Sequence, residues 1–504
     1  MPNATLGRPR ALPQRQAAPS VPARIRDWVA SLAGEQALVA ALVAVGLVAH
    51  GLNMFHYPSF TLKDDEGIYA EQAWSVLREG HLTPYTYWYD HAPAGWIMIA
   101  GWMGLTGGPG TFGGAINSSR VLMLLLHLAM IPLLYHLTRK LGCAPAAAAF
   151  GLLLFSLSPL ALYYQRQLLL DTIMLFWILV GLTLILDGWG RLSRVILSGI
   201  CFGLAMLSKE TAVFLLPALF FLALQQRWQH HGRFAMSGWL LPLAAVISWY
   251  PLYALLKGEL FPAGQWTSSI TDANAHVSLL GALLWQSSRS GGGLFNLNND
   301  FWQLVWSEWI TRDAFLFTAG AVASGLNILR GIAPRRWRDR RALVAGLLGA
   351  LPLAYLARGG VVYDYYIVAV IPFLCLNLAV LLSPLLARLS PARAGALLGV
   401  GTLALVTGYW AVGSLPPLFQ EQPDRAGREA TAWIKAYLPA QSAIVMRDDF
   451  GPICTKPTPT APLSPTPTAT RRWRWTRRSA PACSTTIGKR SITSSCRRAS
   501  MRGR

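Results

Sequence analysis

The sequence predicts an all-α polytopic membrane protein of about eleven transmembrane helices, with a long first outer loop that carries interfacial helices. Three observations predict it. Hydrophobic residues make up 53% of the 504 and charged residues only 13%. Apolar runs that approach or reach the roughly 20 residues of a spanning helix recur along most of the chain. Basic residues concentrate in alternate loops, the pattern of a chain oriented by its cytoplasmic positive charge.

The first 34 residues are polar and basic, with Arg8, Arg10, Arg15, Arg24 and Arg26. They form a cytoplasmic tail without a signal-peptide cleavage site, so the first apolar run is expected to be an uncleaved anchor. The transmembrane domain is expected over 35–414, with spans near 36–55, 118–137, 144–161, 169–187, 195–208, 211–225, 235–256, 314–329, 342–357, 366–386 and 394–413. The tail and the loops placed inside hold nineteen basic residues against four acidic. The loops placed outside, with the helix ends that adjoin them, hold nine basic against fourteen acidic. The N-terminus is therefore expected inside and the segment after 414 outside. Basic loops flank 195–225 on both sides, so that run is expected to turn back near Lys209 as two short passes, each roughly 21 Å long at 1.5 Å per residue.

Two outer loops are long. In the first, 56–117, Thr61 and Asp64 form a capping-box variant that starts a helix running to about Glu79 and stopping at Gly80. After Tyr85, Tyr87, Trp88 and Tyr89, the apolar piece Ala94–Leu105 is too short to span and reads as interfacial or re-entrant. In the second, 257–313, Trp302, Trp306 and Trp309 recur at helical spacing, which predicts a helix lying in the interface.

Residues 415–452 begin a small extracytoplasmic α/β unit, with a helix over Glu429–Leu438 and a strand over Ala443–Met446. Residues 453–504 then carry twelve basic residues and no acidic one, and lack any apolar period. Without them the net charge of +21 falls to +9. This tail reads as out of frame, or else as a natural disordered basic tail. The nucleotide sequence separates the two. No nucleic-acid footprint exists outside that tail. The six cysteines show neither a disulfide framework nor metal spacing.

Charged side chains near lipid are costly and mark candidate sites. Asp64, Asp65, Glu66 and Glu71 stand just past the first span. Asp64 reads as a helix cap, while Asp65 and Glu66 are candidate catalytic carboxylates, since an outer carboxylate within reach of a hydroxyl can act as general base. Asp171 opens another span from the same side. Alone, the pair Arg166 and Asp171 reads as a helix-end salt bridge. Lys209, Arg166, His91 and Arg358 are the outer cations that can hold an anionic phosphate, unless Lys209 is spent on Glu210 and Arg358 on Asp364. Tyr69, Tyr89, Trp96 and Tyr365 are candidate substrate contacts, against the plainer reading of an aromatic belt.

These segments resemble the GT-C superfamily of membrane glycosyltransferases, and within it the type that includes bacterial aminoarabinose lipid A transferase and the protein O-mannosyltransferases (glycosyltransferase families 39 and 83). The resemblance rests on Asp65–Glu71, on Tyr89–Trp96, on Arg166 with Asp171, on Lys209-Glu210 and on Tyr363–Tyr366. It covers roughly 36–450. It implies a polyprenyl-phosphate sugar donor, a lipid, glycan or protein acceptor, and transfer with inversion on the outer side of the cell membrane. Asp65 is then the catalytic carboxylate and Asp171 the second acidic position. Many relatives have Lys-Pro-Pro where this chain reads His91-Ala92-Pro93, so another cation must share the phosphate. No cofactor is implied. A divalent metal is compatible with paired carboxylates but is not required. A transporter or lipid flippase, or an inactive lipid-binding relative, is the competing class.

Overall fold

The computed structural model describes residues 21–59, 64–82, 89–187, 191–225, 232–261, 278–288, 293, 295–334 and 339–438. All regular structure among them is helical. The candidate cap residue Thr61, the aromatics Tyr85, Tyr87 and Trp88, the expected strand at 443–446 and the basic tail lie outside the described residues, as does the side chain of Asp64.

Helix α1 (Val21–Gly51) begins inside the segment expected to be a tail and carries the first apolar run. Helix α2 (Asp64–Glu79) stops where expected, because Gly80 takes φ +72°, a left-handed conformation costly for other residues. Helix α3 (Ala94–Leu105) is the short apolar piece. Helices α4 (Ala115–Lys140), α5 (Pro145–Leu157), α6 (Pro159–Tyr164), α7 (Leu170–Leu186) and α8 (Leu192–Ser208) follow. Ser158 and Pro159 break α5 from α6, since proline cannot supply the helical N–H.

The chain breaks at Lys209, whose backbone is extended at φ −157° and ψ 128°. A tight 3₁₀ turn, Glu210–Leu215, then leads into α9 (Leu216–Gln225). Next come α10 (Gly232–Leu256), α11 (Leu279–Ser288), α12 (Asp300–Ile332) and α13 (Arg340–Leu356). A 3₁₀ turn, Asp364–Ala369, opens α14 (Ile371–Leu386), which is followed by α15 (Pro391–Trp410), α16 (Leu415–Gln420) and α17 (Arg425–Tyr437). Among the described residues, six helices are long and apolar enough to cross a membrane; shorter apolar helices fill the other predicted runs.

The tryptophan-spaced helix leads directly into the next span. It is the first part of α12, which runs on through two π-helical stretches and a kink at Asp313 (φ −155°, ψ 86°). Such insertions re-aim a helix face. Trp306 points outward, but Trp309 is fully buried and donates from Nε1 to the Asp364 carbonyl at 2.8 Å.

Helix α8 packs between α7 and α10, α4 lies against α1 and α7, and α14 packs on α5, α12 and α13. The segment Asp364–Leu386 is the most enclosed of the six long helices, whereas α15 and α10 show mostly outward faces. That contrast is expected of a bundle whose rim meets lipid, where helices find no hydrophobic reason to hide apolar surface.

Candidate active site

The predicted residues divide into two groups at one end of the bundle. The first gathers around Lys209. Its ammonium donates to Asp171 Oδ2 at 2.6 Å, and both side chains are almost fully buried. Asp171 stands in the first turn of α7, where the helix dipole favours an anion. The same ammonium lies 4.6 Å from the Tyr366 ring centroid and 5.3 Å from that of Tyr365, distances suited to cation–π attraction. Tyr365 also donates its hydroxyl to Asp65. One turn, Tyr363–Tyr366, therefore links the carboxylate on α2 to the ion pair between α7 and α8. That turn is anchored twice, by Trp309 and by the Tyr164 hydroxyl, which donates to Asp364 Oδ2 at 3.1 Å.

Burial pushes the Asp65 carboxyl above the ordinary carboxylate range. The Tyr365 hydrogen bond and the positive charges of Lys209 and His91 hold it down in part, while Asp90 opposes them. Such a carboxylate stays closer to neutrality as a proton acceptor than a solvated one.

His91 completes this group. Its Nδ1 meets Glu210 Oε2 at 3.1 Å, Nε2 lies 3.4 Å from the Tyr69 hydroxyl, and the Asp90 carboxylate is 3.9 Å away. Burial alone would lower the imidazole's pKa, but Asp90 and Glu210 overcome it and hold the value above normal. Trp96, itself buried, packs with Tyr69 and His91 as a wall of this pocket. Gly95 permits the approach of α3: a Cβ there would meet Leu170 at 2.7 Å and Ser208 at 3.4 Å, the neighbours of Asp171 and Lys209. Beside the ion pair opens a pocket with Asp171, Thr211, Tyr355 and Tyr366 on its polar side and Met174, Phe214, Leu356 and Val370 on its apolar side. Arg358 is exposed next to it, its guanidinium 3.9 Å from the Tyr355 ring centroid.

The second group contains the other candidates. Glu66 is buried and paired with Arg120: Nε donates to Oε1 at 2.9 Å and Nη2 to Oε2 at 2.7 Å. The Leu168 backbone N–H donates to the same Oε1 at 2.8 Å. Arg120 also donates to the carbonyls of Met54 and Pro58. The carboxylate neighbouring Asp65 is thus taken up in tying α2 to α4 and to the loop before Asp171. Arg166 donates to the carbonyls of Leu418 and Ala49 rather than to Asp171. Tyr89 donates to Glu259 at 2.6 Å and so ties the first outer loop to the second.

Three pairings expected from proximity in sequence are replaced. Lys209 turns to Asp171, not to Glu210, because the extended backbone at 209 sends adjacent side chains to opposite sides. Arg166 leaves Asp171 to Lys209. Arg358 stacks on Tyr355, while Asp364 receives Tyr164. Sequence reasoning missed Arg120, although a lone arginine inside an apolar run is itself a signal. It gave no role to Tyr366, quoted only as part of Tyr363–Tyr366, and paired Glu210 with Lys209 rather than with His91. Among the described residues, no three His, Cys, Asp or Glu side chains converge as metal ligands.

Residues 90–251 match the family model described as dolichyl-phosphate-mannose-protein mannosyltransferase. No curated protein matches the chain by sequence. Among solved structures, it is similar to the oligosaccharyltransferase of Archaeoglobus fulgidus, tethered with an acceptor peptide, at a TM-score of 0.53 and 14% identity, over 80% of this chain and 57% of that one. It is also similar to ArnT of Cupriavidus metallidurans bound to undecaprenyl phosphate, at a TM-score of 0.50 and 19% identity, over 82% of this chain and 66% of that one. These likenesses are of fold, and the chain spans less than two thirds of the length of either. The matched segment 90–251 carries His91, Arg166, Asp171 and Lys209, and the all-helical, multi-span membrane fold of this chain is like that of these two solved structures.

Proposed function

We propose that the protein is a membrane glycosyltransferase that takes a sugar from a polyprenyl-phosphate carrier and passes it to an acceptor hydroxyl on the extracytoplasmic face of the cell membrane, with inversion. The observation that carries this reading is the junction of Asp65, Tyr365 and the Lys209–Asp171 pair beside an apolar-walled pocket.

Asp65 accepts the proton of the acceptor hydroxyl. The freed oxygen attacks the anomeric carbon from the face opposite the carrier, and the bond to the phosphate oxygen breaks with its electron pair. Negative charge growing on that phosphate is stabilised by positive charge already in place. Lys209 and His91 supply it from within and Arg358 from the exposed rim. Asp171 keeps Lys209 aimed. The apolar wall formed by Met174, Phe214, Leu356 and Val370 suits the first isoprene units of a carrier. Tyr69 and Trp96 frame His91, while Glu66, Arg166 and Tyr89 hold the surrounding loops. The charge asymmetry of the loops supports an orientation with this end outside and the N-terminus inside. A lipid-linked donor accounts for a site at the membrane surface on the side where nucleotide sugars are absent.

The test is transfer by the purified full chain in lipid nanodiscs, given polyprenyl-phosphate sugars and hydroxyl acceptors, with products read by mass spectrometry. Native protein is expected to transfer, and Asp65→Asn to fold but lose the activity. Full activity in Asp65→Asn would remove the assigned role of Asp65. Movement of lipid across the bilayer without any transfer would favour a flippase.

A further inference from the structure

On the α1 side of Glu66, a group of polar side chains lies sealed inside the bundle and takes no part in the proposed chemistry. Arg166 is 3% exposed, His50 1%, His127 0% and Ser156 1%. Arg166 uses its two Nη atoms on the carbonyls of Leu418 (2.9 Å) and Ala49 (2.6 Å), and its guanidinium lies 5.2 Å from the Phe419 ring centroid. Its Nε has no partner, and no carboxylate pairs with it among the described residues. The residue after Ala49 is His50, whose ring stacks on that of His127 at 3.7 Å; His127 stacks in turn on Phe155 at 4.5 Å. Both imidazoles lie within electrostatic range of the Arg166 charge. Among the described residues, neither nitrogen of His127 has a hydrogen-bond partner, nor does the Ser156 hydroxyl, and the polar contact of the His50 ring is with the Ser156 backbone.

Burial pulls the Arg166 pKa down to about 9, which still leaves a cation at neutral pH. A buried charge without a counter-charge is costly, and buried charges are as a rule paired. Each imidazole presents at least one N–H donor in any tautomer. The group therefore offers donors from the Arg166 Nε, the His127 imidazole and the Ser156 hydroxyl, with the His50 ring stacked beside them, and with positive charge and no anion of its own among the described residues. Water would satisfy donors but leave the charge uncompensated.

We propose that Arg166, His50, His127 and Ser156 form an internal site for a small monatomic anion of the chloride class. The enclosure of all four residues excludes a carboxylate or a phosphate ester, so the site is distinct from the proposed carrier-phosphate position. Its role is to neutralise Arg166, which holds the end of α1 against α16.

The experiment uses the full chain in nanodiscs and follows thermal unfolding through its tryptophans at matched ionic strength. Sodium chloride and sodium bromide are expected to raise the midpoint by several degrees over sodium gluconate, because a ligand of the native state alone stabilises it. His127→Phe keeps the ring stack and should fold, with the halide increment abolished. Bromide-soaked crystals should show an anomalous peak beside Arg166 Nε and His127. An equal increment in His127→Phe would mean halide binding elsewhere and overturn the proposal. So would the absence of any halide-specific increment, or ordered water in place of the bromide peak. None of these readouts depends on sugar transfer.

Discussion

Asp65 and Glu66 are adjacent on one helix, yet they belong to two different kinds of polar region. Glu66 accepts three hydrogen bonds, two from Arg120 and one from the Leu168 N–H, and is sealed from solvent. Asp65, only half-buried, accepts from Tyr365, beside Lys209 and His91, which are themselves held by Asp171 and Glu210. The difference teaches how to separate anchoring from chemistry in a bundle. An anchoring carboxylate has its lone pairs filled by fixed donors. A carboxylate that must take a proton keeps capacity unspent and has its affinity for that proton tuned by burial and neighbours.

The largest expected effect tests the anchor. Arg120→Met leaves Glu66 buried without its cation, at a cost of about 3–5 kcal/mol. We expect poor recovery of folded protein and an unfolding midpoint many degrees lower, measured by scanning fluorimetry. Asp65→Asn should leave that midpoint nearly unchanged while abolishing transfer. If Arg120→Met instead folds normally and loses only activity, the division between anchor and site is wrong.

Lys209→Met comes next, because Lys209 sits on both sides of that division. Its removal strands the buried Asp171 carboxylate and takes charge from the proposed phosphate position. Loss of stability and at least a hundredfold loss of kcat are expected together. A stable variant with full activity would make the Lys209–Asp171 pair irrelevant to the reaction.

How much of this was legible before the structure follows from where partners lie in the chain. Helix ends at Gly80 and Lys209, the short α3 and the apolar runs are local properties, and composition revealed them. The residue types gathered in the candidate site were legible as well, since carboxylates and cations stand out in a chain with so few of them. Their partnerships were not. Glu66 and Arg120 are 54 residues apart, Asp171 and Lys209 are 38 apart, and His91 and Glu210 are 119 apart. Pairing by proximity favoured Lys209 with Glu210 and Arg166 with Asp171, and packing of α3, α7 and α8 overrode both. The division of α12 by π-helical turns also left no period in the sequence by which the buried face of Trp309 could be told from the outward face of Trp306.

A finer test concerns how Asp65 is tuned. The Tyr365 hydroxyl stabilises the ionised carboxylate, so its hydrogen bond opposes the upward push of burial. Removing it in Tyr365→Phe should raise the Asp65 pKa further. In the proposed mechanism transfer requires the ionised form, so activity is lost as pH falls through that pKa, and the acid limb of the pH–kcat profile should move to higher pH. The plateau at high pH should fall much less. An acid limb that stays in place would show that the group titrating there is not Asp65.

The smallest expected effect separates the turn from the groups it carries. Tyr164 donates to Asp364 from α6, outside the pocket, and Trp309 holds the same residue by its carbonyl. With Trp309 still in place, Tyr164→Phe removes one anchor of the turn, a hydrogen bond to a charged group worth about 1.5–3 kcal/mol. Part of that loss should appear as looser placement of Tyr365 and Tyr366: kcat several-fold lower, KM little changed, and the acid limb displaced in the same direction as in Tyr365→Phe but by less. A change in stability alone, with the acid limb fixed, would assign Tyr164 to the anchoring region with Glu66 rather than to the positioning of Asp65. The two regions would then meet at α6 instead of at the boundary between residues 65 and 66.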